Sequence, residues 1–192
     1  MIKKVLFFSL LAIAVVSFSC DFFGDKNLSL EEDFKEVKVD NEFAVYVPDY
    51  MSETKELNHK ASLQYANLMK EVYVTVIRED KSEVEVLYDI LNVRDDTTSA
   101  LDSYTELREQ MFSTNLKEFN LISTKETKIN GREAVQMEFT GKVKGVNRTI
   151  WYLVTLVEGN EIVYMLMTWT LQNRKEKYRE AFEMTARSFR LL

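Results

Sequence analysis

The sequence predicts an α+β domain in which an antiparallel β-sheet lies between helical layers, an α-β-α sandwich. Asn130-Gly131 is the first sign, since this pair favours the type I′ turn of a β-hairpin, where both central residues adopt positive φ. Residues 149–157 and 161–170 are the second, because two strands apolar on both faces are typical of the middle of a covered sheet. A helical apolar stripe within residues 99–119 is the third.

Residues 1–19 have the pattern of an export signal. Lys3 and Lys4 precede an apolar run of 14 residues, 5–18, that is interrupted only by two serines. A signal-peptide core needs about 7–15 residues, whereas a membrane-spanning helix needs about 20. The segment therefore indicates a signal peptide and not a permanent membrane span.

Cys20 is the only cysteine in the chain and directly follows this signal. Ser17-Phe18-Ser19-Cys20 resembles the bacterial lipobox, in which the cysteine is acylated and becomes the first mature residue. An exported chain with one cysteine has no partner for an internal disulfide. We therefore predict lipidation at Cys20 and a lipid-anchored protein of the bacterial cell envelope, the leaflet being open. The alternative is a cleaved secretory signal with an incidental cysteine.

The composition favours one acidic domain after a short tether. The net charge is −6, and cleavage before Cys20 would remove two lysines and no acidic residue, giving −8. This charge argues against nucleic acid as a partner. We assign residues 20–33 to the tether and 34–192 to a single domain, because one proline and five glycines leave no flexible linker.

The strands and helices follow in a simple order. Strands are predicted at residues 34–39, 43–47, 61–66 and 71–78, the second being stopped by Pro48. Helices are predicted at residues 80–92 and 99–119. The second helix is capped by Thr98 or Ser99, with Asp102 in a weak analogue of a capping box. A hairpin then spans 121–129 and 132–140, and a last helix begins at Asn173.

Several short motifs in this order resemble the PsbP-like superfamily. They are Phe43-x-Val45-x-x-Pro48, the hairpin Asn130-Gly131-Arg132-Glu133-Ala134, an aromatic hairpin ending near Trp169, and Ser188-Phe189 after a closing helix. The resemblance covers residues 34–192 and points to its small bacterial lipoproteins of the DcrB type. Tyr50-Met51 depart from it, since relatives often have tryptophan there. The resemblance implies accessory binding or assembly work, usually on a protein partner, and transfers no catalytic residue.

Candidates for catalysis or metal binding are few. His59 is the only histidine and lies in a polar stretch without the spacing of a zinc site or a catalytic triad, which favours a solvated loop. Asp80, Asp95 and Asp96 do not form an EF-hand loop. We therefore predict no catalytic, cofactor or metal residues, and a protein that is not an enzyme.

One feature suggests a contact surface. Basic residues occupy the first turns of the last helix, where the helix dipole disfavours positive charge: they are Arg174, Lys175, Lys177 and Arg179. We expect them either to be a solvated face or to face outward together and contact anionic headgroups or an acidic partner.

Three functions stay open at this point. The first is a non-enzymatic lipoprotein, held at a membrane by its lipid, that binds an envelope protein. The second is a hydrolase that uses two carboxylates, since 31 acidic residues are present and nothing selects a pair. The third is a carrier of a small apolar ligand, whose cavity could be lined by Trp151, Met165, Met167 and Trp169, although such residues more often form plain core.

Overall fold

A computed structural model describes residues 28–90 and 99–192, the side chains of residues 88–90 excepted. The predicted signal segment 1–19, Cys20 and the pair Asp95-Asp96 lie outside these residues. The strands are β1 Phe34–Val39, β2 Phe43–Pro48, β3 Ser52–Glu53, β4 Ala61–Asn67, β5 Val72–Asp80, β6 Lys117–Ile129, β7 Arg132–Lys142, β8 Ile150–Glu158, β9 Ile162–Leu171 and β10 Arg190–Leu191. The helices are α1 Lys81–Ile90, α2 Ala100–Asn115 and α3 Lys175–Ser188, the last preceded by a 3₁₀ turn, Gln172–Arg174.

The main sheet has seven antiparallel strands in the order β3-β4-β5-β9-β8-β7-β6. Strands β8 and β9 lie inside it and are buried on both faces, which confirms their predicted central position. The fold class is therefore α+β, as the sequence predicts.

Each face of the main sheet carries its own apolar core. On one face α3 and a small three-stranded sheet pack over a cluster that includes Trp151, Leu166 and Phe182. On the other face α1 and α2 cover a cluster that includes Tyr104, Phe139 and Met165. Among the described helices, none is long and apolar enough to cross a membrane.

The Asn130-Gly131 turn is confirmed. Asn130 has φ of 47° and Gly131 has φ of 82°, as a type I′ turn requires. The Asn130 side-chain amide also donates to the carbonyl of Phe189 at 2.6 Å, which ties the turn to the segment after α3.

Three details differ from the sequence-based expectation. The helix predicted to reach residue 119 ends at Asn115. The Leu116 amide donates the last helical hydrogen bond, to the Phe112 carbonyl, and the Leu116 backbone is already extended. Strands β1 and β2 do not join the main sheet but form the small sheet with β10. The two-residue strands β3 and β10 were not predicted, since so short a segment has no detectable periodicity.

Candidate docking surface

The four basic residues predicted as a contact surface do not face outward together. Arg174 donates to the Lys70 carbonyl at 2.6 Å and lies 3.1 Å from the Glu71 carboxylate. Lys175 and Arg179 both turn toward Glu138 on β7. Lys177 is exposed, with its ammonium 5.6 Å from the centre of the Tyr178 ring.

Glu138 is a buried carboxylate at the interface between α3 and the main sheet. Its Oε1 accepts from Arg179 at 2.6 Å, from Lys175 at 2.6 Å and from the Trp151 indole at 3.0 Å. Both cations also lie over the Trp151 ring, at 5.7 Å for Lys175 and 5.2 Å for Arg179. These two basic residues therefore attach α3 to the sheet and contribute little to an open surface.

Two opposing effects act on the ionisation of this carboxyl group. Burial alone would raise the pKa of Glu138, but the hydrogen bonds from Arg179, Lys175 and Trp151 outweigh it and hold the pKa below its ordinary value. Glu138 is therefore ionised at neutral pH and balances the two cations.

A different surface gathers at one end of the main sheet, which we call the Met69 end. It consists of the β4–β5 turn at residues 68–71, the β7–β8 loop at 143–149 and the β9–α3 junction at 172–174. The register places them together because Val72 pairs with Thr170, and Ile150 pairs with both Leu171 and Gly141. The turns at residues 130–131 and 159–161 lie at the opposite, Gly159 end.

Exposed apolar side chains are concentrated at the Met69 end. Eight large apolar residues are exposed in the described part of the chain, and half of them lie on its two turns. Met69 is 94% exposed and Leu68 is 73% exposed, while Val143 and Val146 are 39% and 43% exposed. In the strand order, the centre of the β4–β5 turn and the centre of the β7–β8 loop are three strand spacings apart. At about 4.8 Å per spacing, these centres lie about 14 Å apart.

Five basic residues lie on these turns or at the start of α3. They are Lys70, Lys144, Arg148, Arg174 and Lys177. Arg148 makes two hydrogen bonds to Glu71, at 2.6 and 3.1 Å, and Arg174 contacts the same carboxylate. Glu71 thus joins the two turns and the start of α3 into one surface. A cleft of about 500 Å³ opens beside it, lined by Arg148, Thr149, Leu171, Gln172 and Asn173.

The described chain begins at this same end. Residues 29–33 form a turn, and the Asp33 carbonyl accepts from the Asp49 amide at 2.9 Å. The next residue, Tyr50, accepts at its carbonyl from the Asn67 side chain at 2.7 Å, and Lys70 lies 4.0 Å from its ring centre. The segment that leads back toward Cys20 therefore leaves the domain next to the β4–β5 turn.

The other candidates do not come together as a site. His59 and Asp80 are exposed, as expected for solvated residues. Trp151 lies on one face of the main sheet, while Met165 and Trp169 lie on the other, so the suggested aromatic and methionine set lines no common cavity. In residues 28–87 and 99–192 no group of three or more His, Cys, Asp or Glu side chains is placed to hold a metal ion.

Two places in the structure contain carboxylates that a hydrolase could use. Glu79 accepts from Tyr104 and Arg108 between β5 and α2, where burial lowers the pKa of Arg108 to about 10 and leaves it charged at neutral pH. A cleft of about 450 Å³ between α2 and β6 has acidic residues along it, namely Asp102, Glu106, Glu109 and Glu126. Asp102 accepts from the Ser99 hydroxyl and so serves the start of α2.

Sequence reasoning named Arg174 of the Met69 end and Lys177 in the first turn of α3, and it missed the other residues of this end. A signal was available, since Leu68-Met69 and Val143 with Val146 are apolar residues in polar turns that also contain lysine. Their meeting at one end depends on the strand order, which the sequence does not give.

Comparison with known proteins identifies the fold. The sequence model of the PsbP family matches residues 32–191. No curated protein matches the chain in sequence.

Similar solved structures include the following three. Cyanobacterial PsbP (CyanoP) from Synechocystis sp. PCC 6803 is 14% identical, with 88% of this chain and 97% of that chain covered and a TM-score of 0.54. The Ran-binding protein Mog1p of Saccharomyces cerevisiae is 9% identical, with 82% and 95% covered and a TM-score of 0.53. LpqN of Mycobacterium tuberculosis, involved in cell envelope biogenesis, is 15% identical, with 84% and 92% covered and a TM-score of 0.48.

Proposed function

The chain belongs to the PsbP family, and on that premise we propose that it is a non-enzymatic accessory module of the bacterial cell envelope, tethered to a membrane by lipid on Cys20. Residues 1–19 serve as the signal peptide and residues 20–33 as the tether. The folded module binds an envelope protein.

The observation that carries this proposal is the place where the chain enters the domain. The turn at residues 29–33 lies beside Asp49 and Tyr50, next to the exposed apolar and basic side chains of the Met69 end. A tether that leaves from this end holds it toward the bilayer. The Gly159 end then points away from the membrane, where a protein partner can reach it.

The pairing of Glu138 and Glu79 with cations supports a non-enzymatic role. Glu138 and Glu79 are each held by cations inside the fold, so that these carboxylates link elements of the structure together. A Ran-binding protein shares the fold, which is in line with binding to another protein as the work of this scaffold.

The tether is tested by changing Cys20 to Ala and fractionating the cells. Wild type should be recovered with membranes and carry a labelled fatty acid, and the variant should carry none and leave the membrane fraction. Ser9→Ala is the matched control, because it alters the signal segment outside the Ser17-Phe18-Ser19-Cys20 motif and keeps the cysteine. Wild type without labelled fatty acid, or a variant that still carries it, would show that the tether is wrong.

The protein partner is tested with a photo-crosslinking residue at one position per variant. A residue at Glu161, in the turn of the Gly159 end, should form a discrete adduct with an envelope protein in cells. The same residue at Met69 is the comparison. If neither position, nor others on the α1 and α3 faces, gives an adduct, the binding role fails.

A further inference from the structure

We propose that the Met69 end is a membrane-binding surface, whose apolar turn residues insert among the headgroups of an anionic phospholipid bilayer. This inference deepens the proposed function and rests on it, because the tether brings this end to the membrane. It goes further by assigning to the folded domain a contact with lipid that is separate from the acyl chains on Cys20.

The shape of the apolar surface favours lipid over protein. Leu68 and Met69 stand at the tip of one turn, and Val143 and Val146 stand on another turn about 14 Å away. Two separate apolar tips do not make the continuous buried core of a protein interface. Each tip can insert among lipid headgroups, where apolar side chains leave water and the flanking polar backbone stays hydrated.

The charge around the tips complements anionic headgroups. Lys70 flanks one tip, and Lys144 and Arg148 lie on the same turn as the other. Arg174 directly precedes α3, and Lys177 lies in its first turn. Glu71 pairs with Arg148 and Arg174 and offsets one of these five charges, so the turns carry an excess of positive charge on a chain whose net charge is −6. Each Lys or Arg near an anionic leaflet strengthens binding about fivefold.

The length of the tether keeps this end near the bilayer. Seven residues lie between Cys20 and Leu28, so the eight steps from one Cα atom to the next span at most about 29 Å even when fully extended. A domain of this size is about 40 Å across. The tether is therefore shorter than the domain, so the end from which it leaves faces the membrane most of the time.

The test places an environment-sensitive fluorophore on the mature lipidated chain, residues 20–192, reconstituted in lipid vesicles. Met69→Cys and Val146→Cys report on the Met69 end, and Glu161→Cys reports on the Gly159 end as the control. All three side chains are exposed, so the labels disturb little packing. Lipid on Cys20 blocks its thiol, and an unmodified Cys20 would add the same signal to all three.

In vesicles that contain phosphatidylglycerol, the labels at Met69 and Val146 should shift to the blue and be quenched by lipids with a shallow quencher. The label at Glu161 should stay in water. Lys70→Gln with Lys144→Gln should reduce the shift at Met69, and so should high salt. Lys55→Gln with Lys60→Gln removes the same charge near the opposite end and should leave the shift unchanged.

Several results would overturn this inference. One is a Met69 label that behaves like the Glu161 label in both anionic and zwitterionic vesicles. Another is protection of the Met69 label only when envelope proteins are added, which would assign the surface to a protein. Mass spectrometry of Cys20 separates the proposed tether from the proposed lipid contact of the Met69 end. If Cys20 carries no lipid, the tether is wrong. The labelled chain, added to preformed vesicles, then still shows whether the Met69 end binds lipid.

Discussion

At the scale of single residues, Glu138 shows why a basic cluster in a sequence is ambiguous. Lys175 and Arg179 oppose the dipole of α3, which suggests an outside partner for them. Their partner is instead a carboxylate 37 and 41 residues earlier, on β7. Only the fold brings Glu138 under the first turns of α3, so the sequence marks the cations as unusual without identifying what they contact.

We predict that Glu138→Gln destabilises the domain by about 1.5–3 kcal/mol, the value of hydrogen bonds to a charged group. Chemical denaturation at neutral pH measures this loss. Glu133→Gln is the matched control on the same strand, because its pairing with Lys128 is exposed and should change stability by less than about 0.5 kcal/mol. Equal losses of stability in the two variants would contradict the role of Glu138 in attaching α3 to the main sheet.

The stabilisation that Glu138 contributes should also depend on pH. The folded state lowers the pKa of Glu138 from its ordinary 4.5, so the ionised form is bound more tightly in the folded than in the unfolded chain. The stabilisation is fully present above pH 4.5 and is lost as the pH falls through the lower folded value. The difference between wild type and Glu138→Gln should therefore shrink in this acid range.

At the scale of elements, the start of α2 is defined by its cap. The Ser99 hydroxyl oxygen accepts from the Asp102 amide at 3.1 Å, and the hydroxyl donates to the Asp102 carboxylate at 2.7 Å. This confirms the predicted pairing of Ser99 with Asp102. Since α2 covers one face of the main sheet, the cap also supports the core beneath it.

We predict that Ser99→Ala lowers the free energy of unfolding by about 1 kcal/mol, the usual cost of losing an N-cap. Ser113→Ala, on an exposed position of the same helix, is the control and should be neutral or slightly stabilising. Urea denaturation of the two variants checks this. If both behave alike, α2 does not depend on its cap.

The sequence predicts the elements well where one strong local signal dominates. The Asn130-Gly131 pair predicts its turn because both residues readily adopt positive φ, and the structure shows positive φ at both. Residues 150–158 are apolar on both faces, and they form a strand in the middle of the sheet. The split into two sheets could not be predicted, because β1 and β2 look like any other hairpin. What separates them is pairing with Arg190–Leu191, about 150 residues away. The Met69 end was missed for the same reason, since its turns meet only through the strand order.

At the scale of the whole molecule, the two cores share one sheet. Trp151 and Tyr152 are neighbours on β8, yet Trp151 packs against Phe182 on one face and Tyr152 against Phe139 on the other. Loss of packing on one face therefore weakens the strands that hold the other. The covering layers of the sandwich therefore depend on each other through the sheet that lies between them.

We predict a single unfolding transition that remains single when either core is damaged. Phe182→Ala and Phe139→Ala should each cost about 3–5 kcal/mol, because both side chains are fully buried. Circular dichroism in the far and near ultraviolet should report the same midpoint in each variant. Two separated transitions would show that the faces unfold independently.

The small sheet has a consequence for how the chain reaches its folded state. Phe43 on β2 stacks on Phe189, and the Tyr46 amide donates to Ser188, 142 residues later in the sequence. A ribosome produces the two ends of these contacts far apart in time, and loop closure over such a separation is slow. Until residues 188–191 emerge, β2 is paired with β1 alone, and the core beneath the small sheet lacks Phe189. One core of the domain is therefore completed only when the last residues have been made, which suits the export through a membrane channel that we propose for this chain.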